Sequence, residues 1–388
     1  MKLLQVSKFY PPELGGIEAV ARDLSAGLMA RGVDVEVLCA HTRWRREQAV
    51  GPAGERVTRA ASAGLWLSTS MAPGLVTELR RRQEAADIIH VHMPDPLAAL
   101  AVWAARPRGR VVLHWHSDVV RQRLAMHVYR PLERWLLARA DAVVATSAAY
   151  AESSVPLAPW QHKVTVVPIG APPPEAPPAA RVQRLRQLAD GRRIVFSLGR
   201  MTHYKGWDVL IEAARSLPDD VLVLVGGGGP DLAHYRAMAV QAGVAGKIVF
   251  RGAMASADVE AAFAEAAVFC LASTVRAEAY GVAVLEAMAR GLPVVATDIP
   301  GSGLGWLVQH GSTGLKVPVR DPAALAAGVR QLLEDAPLRQ RCGDAGRARW
   351  ASAFTVDAMC RRMLALYDHL LADRPGVPQA PVVEPSAR

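Results

Sequence analysis

Two glutamates with seven residues between them are the sharpest candidates for chemistry in this chain. Glu278 and Glu286 flank Gly281, where a helix is expected to begin. At 1.5 Å per helical residue they lie roughly 8–12 Å apart, which is too far for one acid/base pair acting on a single bond. They could instead hold the two ends of one elongated ligand, with helix N–H groups between them facing phosphate oxygens. The alternative is a surface Glu278 beside a partly buried helical Glu286.

Two cations follow a predicted strand in the second half of the chain. Gly199-Arg200 ends that strand, and Lys205-Gly206 opens the next helix. Cations at these positions can neutralise a diphosphate from two sides. The glycine run that begins at Gly226 does not complete the dinucleotide fingerprint, because Leu232 occupies the last glycine position. This departure argues against a nicotinamide-dependent dehydrogenase.

The first half of the chain offers a glycine pair and two histidine pairs. Gly15-Gly16 precedes a predicted helix, where a ligand anion could approach the backbone. An ordinary strand-to-helix turn would use the same glycines. His90 and His92, like His114 and His116, alternate along predicted strands, which places each pair on one face. Because no other metal-binding motif accompanies them, contacts to a hydroxylated ligand are expected and no metal is predicted.

The elements that must position these residues alternate between strand and helix. This pattern predicts an α/β fold with parallel sheets covered on both faces. Ligands bind beyond the carboxyl ends of such strands, so the site is expected in a cleft between two doubly wound domains. The predicted segments are 1–170, a Pro-rich linker region 171–192, 193–355, a helix 356–371 and a disordered tail 372–388. The predicted strands are 2–8, 33–40, 88–92, 111–115, 142–146, 164–167, 194–198, 221–225, 247–250, 268–271 and 293–296.

Composition excludes several classes of protein. The 388 residues are 51% hydrophobic and 21% charged, which fits two globular domains rather than wholesale disorder. No run of about 20 apolar residues is present, and the first residues do not resemble a secretion signal. Four separated cysteines indicate reduced thiols, so a cytoplasmic protein is expected.

The net charge of +9 is concentrated toward the first half of the chain. Residues 1–170 hold 21 Lys and Arg against 15 Asp and Glu. This excess suits an anionic partner such as a membrane surface, although a merely solvated basic surface is the alternative. No aromatic-interleaved basic sheet or recognition helix accompanies the charge, so no nucleic acid is expected.

Taken together, these motifs resemble the retaining glycosyltransferases of family 4, which have the GT-B fold of two Rossmann-like domains. The resemblance covers about residues 1 to 371. It includes the Gly15-Gly16 loop, Gly199-Arg200 with Lys205-Gly206, and the Glu278 and Glu286 pair followed by Ala287-Met288-Ala289. Where the family pattern has Phe before the glycine of the pair, this chain has Tyr280, whose hydroxyl could reach the sugar.

The resemblance implies a role for each matching residue. Catalysis would involve His116, Glu278, Arg200 and Lys205. Arg200 and Lys205 would bind the donor diphosphate, Glu278 and His116 the sugar, and Glu286 the ribose. The remaining donor-binding positions implied are Gly15, Gly16, Gly199, Arg251, Gly252, Tyr280, Gly281 and Val282. The last helix would cross back to brace the N-terminal, acceptor-side domain.

The family also implies a mechanism and partners. Transfer would be retaining and metal-independent, with no cofactor beyond the nucleotide diphosphate sugar donor. His114 to Gln122 is similar to bacterial polysaccharide mannosyl- and rhamnosyltransferases, which often use GDP-sugars. The expected acceptor is lipid-linked or a growing glycan, and the expected location is cytoplasmic, peripheral on the inner face of the membrane. A UDP-sugar-dependent enzyme, a GT-B epimerase and a non-catalytic nucleotide-sugar-binding subunit remain the alternatives.

Overall fold

The chain folds into two compact units. The computed structural model describes residues 1–13, 15–66, 69–119 and 123–372, with the backbone alone for 123–125. Unit 1 comprises residues 1–170 together with the chain from Val356, and unit 2 comprises Ala171–Thr355. The predicted tail 372–388 lies outside the described residues except for Ala372, as do Val120, Arg121 and Gln122 of the His114 to Gln122 stretch.

Unit 1 is built on an eight-stranded sheet in the order β10-β9-β8-β7-β1-β2-β4-β3. Its strands run parallel except β3, which is antiparallel to β4. The strands of the unit are β1 (Lys2–Val6), β2 (Asp34–Ala40), β3 (Glu47–Val50), β4 (Arg56–Ala60), β5 (Leu65–Trp66), β6 (Thr69–Ser70), β7 (Ile88–Met93), β8 (Arg110–Trp115), β9 (Ala142–Ala145) and β10 (Val164–Val166). Its helices are α1 (Gly16–Met29), α2 (Gly74–Arg82), α3 (Pro96–Ala105), α4 (Arg123–Arg139), α5 (Ala148–Ser153) and the C-terminal α14 (Val356–Leu371).

Unit 2 is built on a six-stranded parallel sheet in the order β13-β12-β11-β14-β15-β16. Its strands are β11 (Arg193–Leu198), β12 (Val221–Gly226), β13 (Ile248–Gly252), β14 (Ala266–Leu271), β15 (Val294–Thr297) and β16 (Gly314–Val317). Its helices are α6 (Ala179–Ala189), α7 (Trp207–Ala214), α8 (Leu232–Gln241), α9 (Ser256–Glu265), α10 (Val282–Ala289), α11 (Leu304–Leu307), α12 (Pro322–Glu334) and α13 (Ala336–Ala353).

Most residues of the unit 2 strands are apolar because helices cover both faces of the sheet. Val195 and Val223 point into one core, with α7 and α12. Phe196 and Leu224 point into the other core, with α9 and α10. Because the strands are parallel, the loops that follow their carboxyl ends lie at one edge of the sheet.

Four structural details differ from the sequence predictions. The pair β3 and β4, the short hairpin of β5 and β6, and β16 were not anticipated. In β4 the polar Thr58 and the charged Arg59 are buried, so the apolar alternation typical of a strand is weak there. Within the predicted linker region 171–192 the structure has α6, whose Arg181 donates a hydrogen bond of 2.9 Å to Asp258 on α9. The segment is therefore more than a connector.

The C-terminal helix belongs to unit 1 through buried side chains. Met359, Cys360, Met363 and Tyr367 of α14 are all fully buried, and α14 packs against α1. Across the described part of the chain, the helices are too short or too polar to cross a bilayer.

Candidate functional site

Lys205 is held at the carboxyl edge of the unit 2 sheet by the glycine that follows it. Gly206 has φ +67°, and a Cβ there would overlap the carbonyl oxygen of Ala272, the residue just after β14. The chain can therefore approach the end of β14 closely only with glycine at this position. This approach brings the Lys205 side chain to the loop that follows β14.

The Lys205 ammonium forms an ion pair with Glu278. Nζ lies 2.5 Å from Oε2 of Glu278, and the Ser273 hydroxyl donates to the same oxygen at 2.8 Å. Burial alone would lower the pKa of Lys205, but the Glu278 carboxylate outweighs it and the pKa is raised. Lys205 is therefore a fixed positive charge, and both hydrogen bonds to Glu278 fall on one carboxylate oxygen.

Arg200 lies on the same loop but points outward. Its side chain is exposed, while its carbonyl oxygen accepts a 3.1 Å hydrogen bond from the buried Trp207 indole. The neighbouring Gly199 leaves room for the Lys205 chain, since a Cβ there would lie 3.0 Å from Lys205 Cε. The loop thus presents one exposed cation, Arg200, and one largely buried cation, Lys205.

The segment that carries Glu278 is tied to a second loop. Ser302 donates a side-chain hydrogen bond to the Glu278 carbonyl, and the Gly303 amide donates to the Ala279 carbonyl at 2.8 Å. Tyr280 is buried. These bonds fix the backbone beside Glu278 without using its carboxylate.

Gly281 then turns the chain into α10. Its φ of +90° makes it the left-handed N-cap of that helix, a conformation that glycine adopts without strain. Val282 is the first helical residue, and Glu286 lies in the second turn with its side chain partly exposed. The two glutamates therefore occupy the positions that the spacing predicts, one before the helix and one within it.

Arg251 and Gly252 end the neighbouring strand β13. Gly252 accepts a hydrogen bond of 2.8 Å from the Gly227 amide in the glycine-rich turn, and the Arg251 side chain is exposed. The turn after β12 and the end of β13 are thus joined through their backbones.

The remaining predicted site residues lie in unit 1. Gly15 is the extended N-cap of α1, and Gly16 is the first helical residue. The Glu18 carboxylate lies against Gly15, so the start of this helix already has a negative group beside it. An incoming anion would have to compete with that carboxylate.

His116 belongs to a cluster of four buried histidines, which we call the histidine cluster (His90, His92, His114 and His116). Nδ1 of His92 lies 2.8 Å from Nε2 of His116, and Nε2 of His90 lies 3.2 Å from Nδ1 of His114. Tyr367 of α14 joins Nδ1 of His90 at 2.8 Å. The sequence reasoning anticipated the two pairs but not their mutual contact or the tyrosine, because strand neighbours and α14 are remote in sequence.

Burial keeps the histidine cluster neutral. It lowers the pKa of His90 and of His116 to about 3, with His116 adding to the effect at His90. His116 therefore offers a ligand a neutral ring with hydrogen-bonding nitrogens rather than a cation.

The cluster also contains atoms that could ligate a metal. One nitrogen each from His90, His92 and His114 lies within 4.8 Å of the others. Nε2 of His92 and Nε2 of His114 are buried without hydrogen-bond partners. Imidazole nitrogens suit zinc or copper, and three histidines are a ligand set that catalytic zinc can use. The prediction that no metal is needed stays a prediction.

Two further groups were missed by the sequence reasoning. Ser273, which binds Glu278, is the second residue after β14, and a polar residue close to a strand end is the signal that could have found it. In unit 1, burial and the charge of Asp118 raise the pKa of Glu133 to about 7, against the opposing effect of Arg130 and Arg134. Glu133 lies within α4, where no motif distinguishes it.

Two family models match the two halves of the chain. The "Glycosyl transferase 4-like domain" matches residues 15–170, and "Glycosyl transferases group 1" matches residues 182–349. The chain is 30% identical to the O-antigen chain mannosyltransferase C of Escherichia coli, over 96% of this chain and 100% of that protein. It is 31% identical to the D-rhamnosyltransferase WbpZ of Pseudomonas aeruginosa, over 92% of this chain and 93% of that protein.

A solved structure supports the fold. Anabaena HepE in complex with UDP and glucose superposes with a TM-score of 0.78 at 20% identity, covering 95% of this chain and all of that one. At this identity the likeness concerns the architecture, which is GT-B with two Rossmann-like domains.

Proposed function

Because this chain belongs to the family 4 glycosyltransferases, we propose that it transfers mannose or a related deoxyhexose from a GDP-linked donor. The acceptor would be a lipid-linked or growing bacterial polysaccharide. The observation that carries the proposal is the Lys205 and Glu278 ion pair beside the exposed Arg200, at the carboxyl edge of the unit 2 sheet. The similarity to mannosyl- and rhamnosyltransferases supports the sugar, and the His114 to Gln122 stretch supports the guanine nucleotide.

Arg200 and Lys205 would bind the donor diphosphate. Lys205 keeps its charge, and Arg200 can form two parallel hydrogen bonds to phosphate oxygens. As the bond between the sugar carbon and the diphosphate breaks, negative charge grows on the leaving oxygen, where fixed cations stabilise the transition state most. Two protein cations supply the charge that a metal would otherwise contribute, which supports metal-independent transfer.

Glu278 would hold the sugar, and Glu286 the ribose. Lys205 and Ser273 both bind Oε2 of Glu278, so Oε1 is the oxygen that can accept hydrogen bonds from sugar hydroxyls. Glu286 lies in the second turn of α10 and would accept bonds from the ribose hydroxyls. Tyr280, Gly281 and Val282 would bring backbone groups to the donor between them.

His116 would contact the transferred sugar from unit 1, with Gly15 and Gly16 near the phosphates. Since His92 binds Nε2 of His116, Nδ1 is the nitrogen that would meet the ligand. In the proposed retaining step, the acceptor oxygen forms its bond to the sugar carbon on the face that the diphosphate leaves. The acceptor proton passes to the departing phosphate oxygen, so no protein base is consumed.

A panel of nucleotides tests the donor. Thermal unfolding with GDP, UDP and ADP should show the largest stabilisation with GDP, the nucleotide of the proposed donor. A ligand at 100 times its Kd adds about 2.7 kcal/mol to the free energy of unfolding, which is large enough to measure. GDP-mannose with a glycan acceptor should then release GDP. A shift with UDP alone would reassign the donor to a UDP-sugar. Binding without any nucleotide release would indicate a non-catalytic subunit, and conversion of the donor sugar without transfer would indicate an epimerase.

We also propose a cytoplasmic location, peripheral on the inner face of the membrane. A lipid-linked acceptor would be met there, and the basic excess of residues 1–170 supports contact with anionic lipid.

A further inference from the structure

Helix α3 is unusual because it is apolar on every side and still partly exposed. Between Pro96 and Ala105 it contains no polar or charged side chain. Helices of this composition are normally buried all round. Leu100 and Trp103, one turn apart on the same face, are nevertheless 42% and 45% exposed. One face of α3 therefore lacks a cover within the described part of the chain.

A second exposed apolar group lies on the hairpin of β5 and β6. Leu65 and Trp66 are 59% and 66% exposed, and Met71, just after β6, is also exposed. The hairpin is closed at its base by hydrogen bonds of 2.9 Å in both directions between Ala63 or Gly64 and Met71. These large side chains are thus held outward by an ordered backbone.

Backbone contacts join these groups to a third segment. The Ser62 amide, at the start of the hairpin segment, donates a 2.9 Å hydrogen bond to the Arg43 carbonyl, and the adjacent Trp44 is exposed. Strand β6 packs against α3. We call the exposed side chains that these contacts group together the apolar patch, which consists of Trp44, Trp66, Met71, Leu100 and Trp103. Leu65 precedes Trp66 on the same strand and therefore points to the opposite face of the hairpin.

Arginines border the apolar patch. Arg43 adjoins Trp44, Arg80 donates a 2.8 Å hydrogen bond to the carbonyl of Ala104 at the end of α3, and Arg106 and Arg108 follow that helix. All four arginine side chains are exposed.

Among the described residues, ten of the eleven large exposed apolar side chains belong to unit 1 and one, Val240, belongs to unit 2. Exposed large apolar side chains are therefore concentrated in unit 1.

We propose that the apolar patch inserts into the interface of an anionic phospholipid bilayer. Tryptophan side chains favour the headgroup level of a membrane, and arginines beside them attract anionic headgroups. Ten residues of α3 span about 15 Å, which is half a bilayer core, so the helix lies in the interface rather than across it. This inference gives a surface to the peripheral location proposed above and rests on that part of the proposed function.

Vesicle binding tests the apolar side chains. The full chain should co-sediment with vesicles of phosphatidylglycerol and phosphatidylcholine at low salt. The triple variant W44S/W66S/W103S should bind at least tenfold more weakly, since each exposed indole contributes apolar area. The matched control V155S removes an exposed apolar residue, 82% exposed, beyond α5 near the opposite edge of the sheet, and should bind like the wild type. Equal binding of the triple variant and the wild type would overturn the proposal.

Charge reversal tests the arginine border. If each arginine near the surface contributes about 1 kcal/mol, or roughly fivefold, R43E/R106E should weaken binding by about 25-fold or more, and added salt should weaken the wild type. The control R184E/R341E, with two exposed arginines of unit 2, should change binding little. Equally strong binding to vesicles of phosphatidylcholine alone would contradict the role of the arginines.

Nucleotide binding without lipid separates this inference from the proposed function. The patch variants should show the same thermal shift with GDP as the wild type, because their substitutions lie in unit 1 surface segments. Vesicle binding without a thermal shift from any nucleotide would support the membrane-binding patch and contradict the proposed nucleotide-sugar donor. A thermal shift with nucleotide but no binding to anionic vesicles would support the donor and contradict membrane insertion of the patch. A protein partner would then be the next candidate for the patch.

Discussion

The Lys205 ammonium and the Glu278 carboxylate, 73 positions apart in the sequence, form a buried 2.5 Å ion pair at the end of the unit 2 sheet. The pair joins a residue proposed to bind phosphate to one proposed to bind sugar. Each holds the other in place before the donor arrives. The donor must then share Lys205 with Glu278, so the positions of phosphate and sugar are coupled.

Because the two charges compensate each other, removing one of them should lower the free energy of unfolding more than removing both. E278Q should destabilise unit 2 by about 3–5 kcal/mol, because it leaves a buried ammonium without its anion. K205M/E278Q should recover much of that loss in urea unfolding while remaining inactive. A double variant less stable than E278Q would show that the pair is not the source of the effect.

Glu278 and Glu286 should fail differently in kinetics. E286Q replaces the proposed charge-assisted bond to ribose with a weaker neutral one. Because that bond would be equal in the ground and transition states, KM should rise while kcat holds. E278Q acts beside the carbon where positive charge develops, so kcat should fall most. Titration with free GDP should show weaker affinity for E286Q and nearly unchanged affinity for E278Q. The same pattern in both variants would mean that the two carboxylates act as one unit.

The histidine cluster should make unit 1 sensitive to acid. His90 and His116 have folded pKa values of about 3, below the ordinary 6.5, so the unfolded chain takes up their protons first. The contribution of the neutral rings to the free energy of unfolding is therefore fully present above pH 6.5. It is lost as the pH falls toward 3, by about 2 kcal/mol per ring at pH 5. Glu133, whose pKa is raised to about 7, stabilises the folded state as the pH falls below 7. This single group offsets only part of the loss from the histidine cluster.

Hydrogen exchange of β7 and β8 between pH 7 and 4.5, corrected for the intrinsic exchange rate, measures this loss. H116N should flatten the pH dependence. The control H234Q alters an exposed histidine of unit 2 and should leave the dependence as it is. An equally steep dependence in H116N would place the acid sensitivity elsewhere.

Transfer should survive treatment with a chelator. In the proposed site Arg200 and Lys205 supply the positive charge at the diphosphate, so EDTA should change kcat/KM by less than about twofold. The measurement is GDP release with and without EDTA after extensive dialysis. Complete loss of activity that zinc or magnesium restores would contradict this prediction, and restoration by zinc alone would point to His90, His92 and His114.

The C-terminal helix should be required for unit 1, unlike the residues after it. A chain ending at Ala372 should fold and turn over like the full chain, because the removed segment lacks core-forming periodicity. A chain ending at Thr355 should unfold readily, since it loses the buried Met359, Met363 and Tyr367. Thermal unfolding and GDP release compare the two. Equal tolerance of both truncations would show that α14 contributes little.

The sequence predicted the parallel architecture well because the central strands are short runs in which apolar residues predominate. Ile88–Met93 and Val221–Gly226 are buried at every residue, a pattern that few other structures produce. By contrast, β3 alternates between partly and fully exposed residues at a sheet edge. Its pairing with β4 comes from tertiary contacts, such as the Arg59 and Glu47 ion pair, that no local pattern encodes.

The candidate site was predictable in its residues and less so in its contacts. The spacing of Glu278, Gly281 and Glu286 fixes their places around the start of α10, because helix geometry is local. The pairing of Glu278 with Lys205 depends on how closely Gly206 approaches the end of β14, which only the folded sheet determines. The same is true of Tyr367, which reaches His90 from the far end of the chain.

The return of α14 to unit 1 also sets an order on synthesis by the ribosome. Residues 1–170 emerge first, but their last helix is made only after the 185 residues of Ala171–Thr355. At about 5–20 residues per second, that interval lasts about 10–40 s. During this time the surfaces of α1 and β7 that α14 will cover stay open, whereas unit 2, continuous in sequence, can complete its fold. The nascent chain therefore finishes its second unit before its first, and the first is the one exposed to chaperones and proteases.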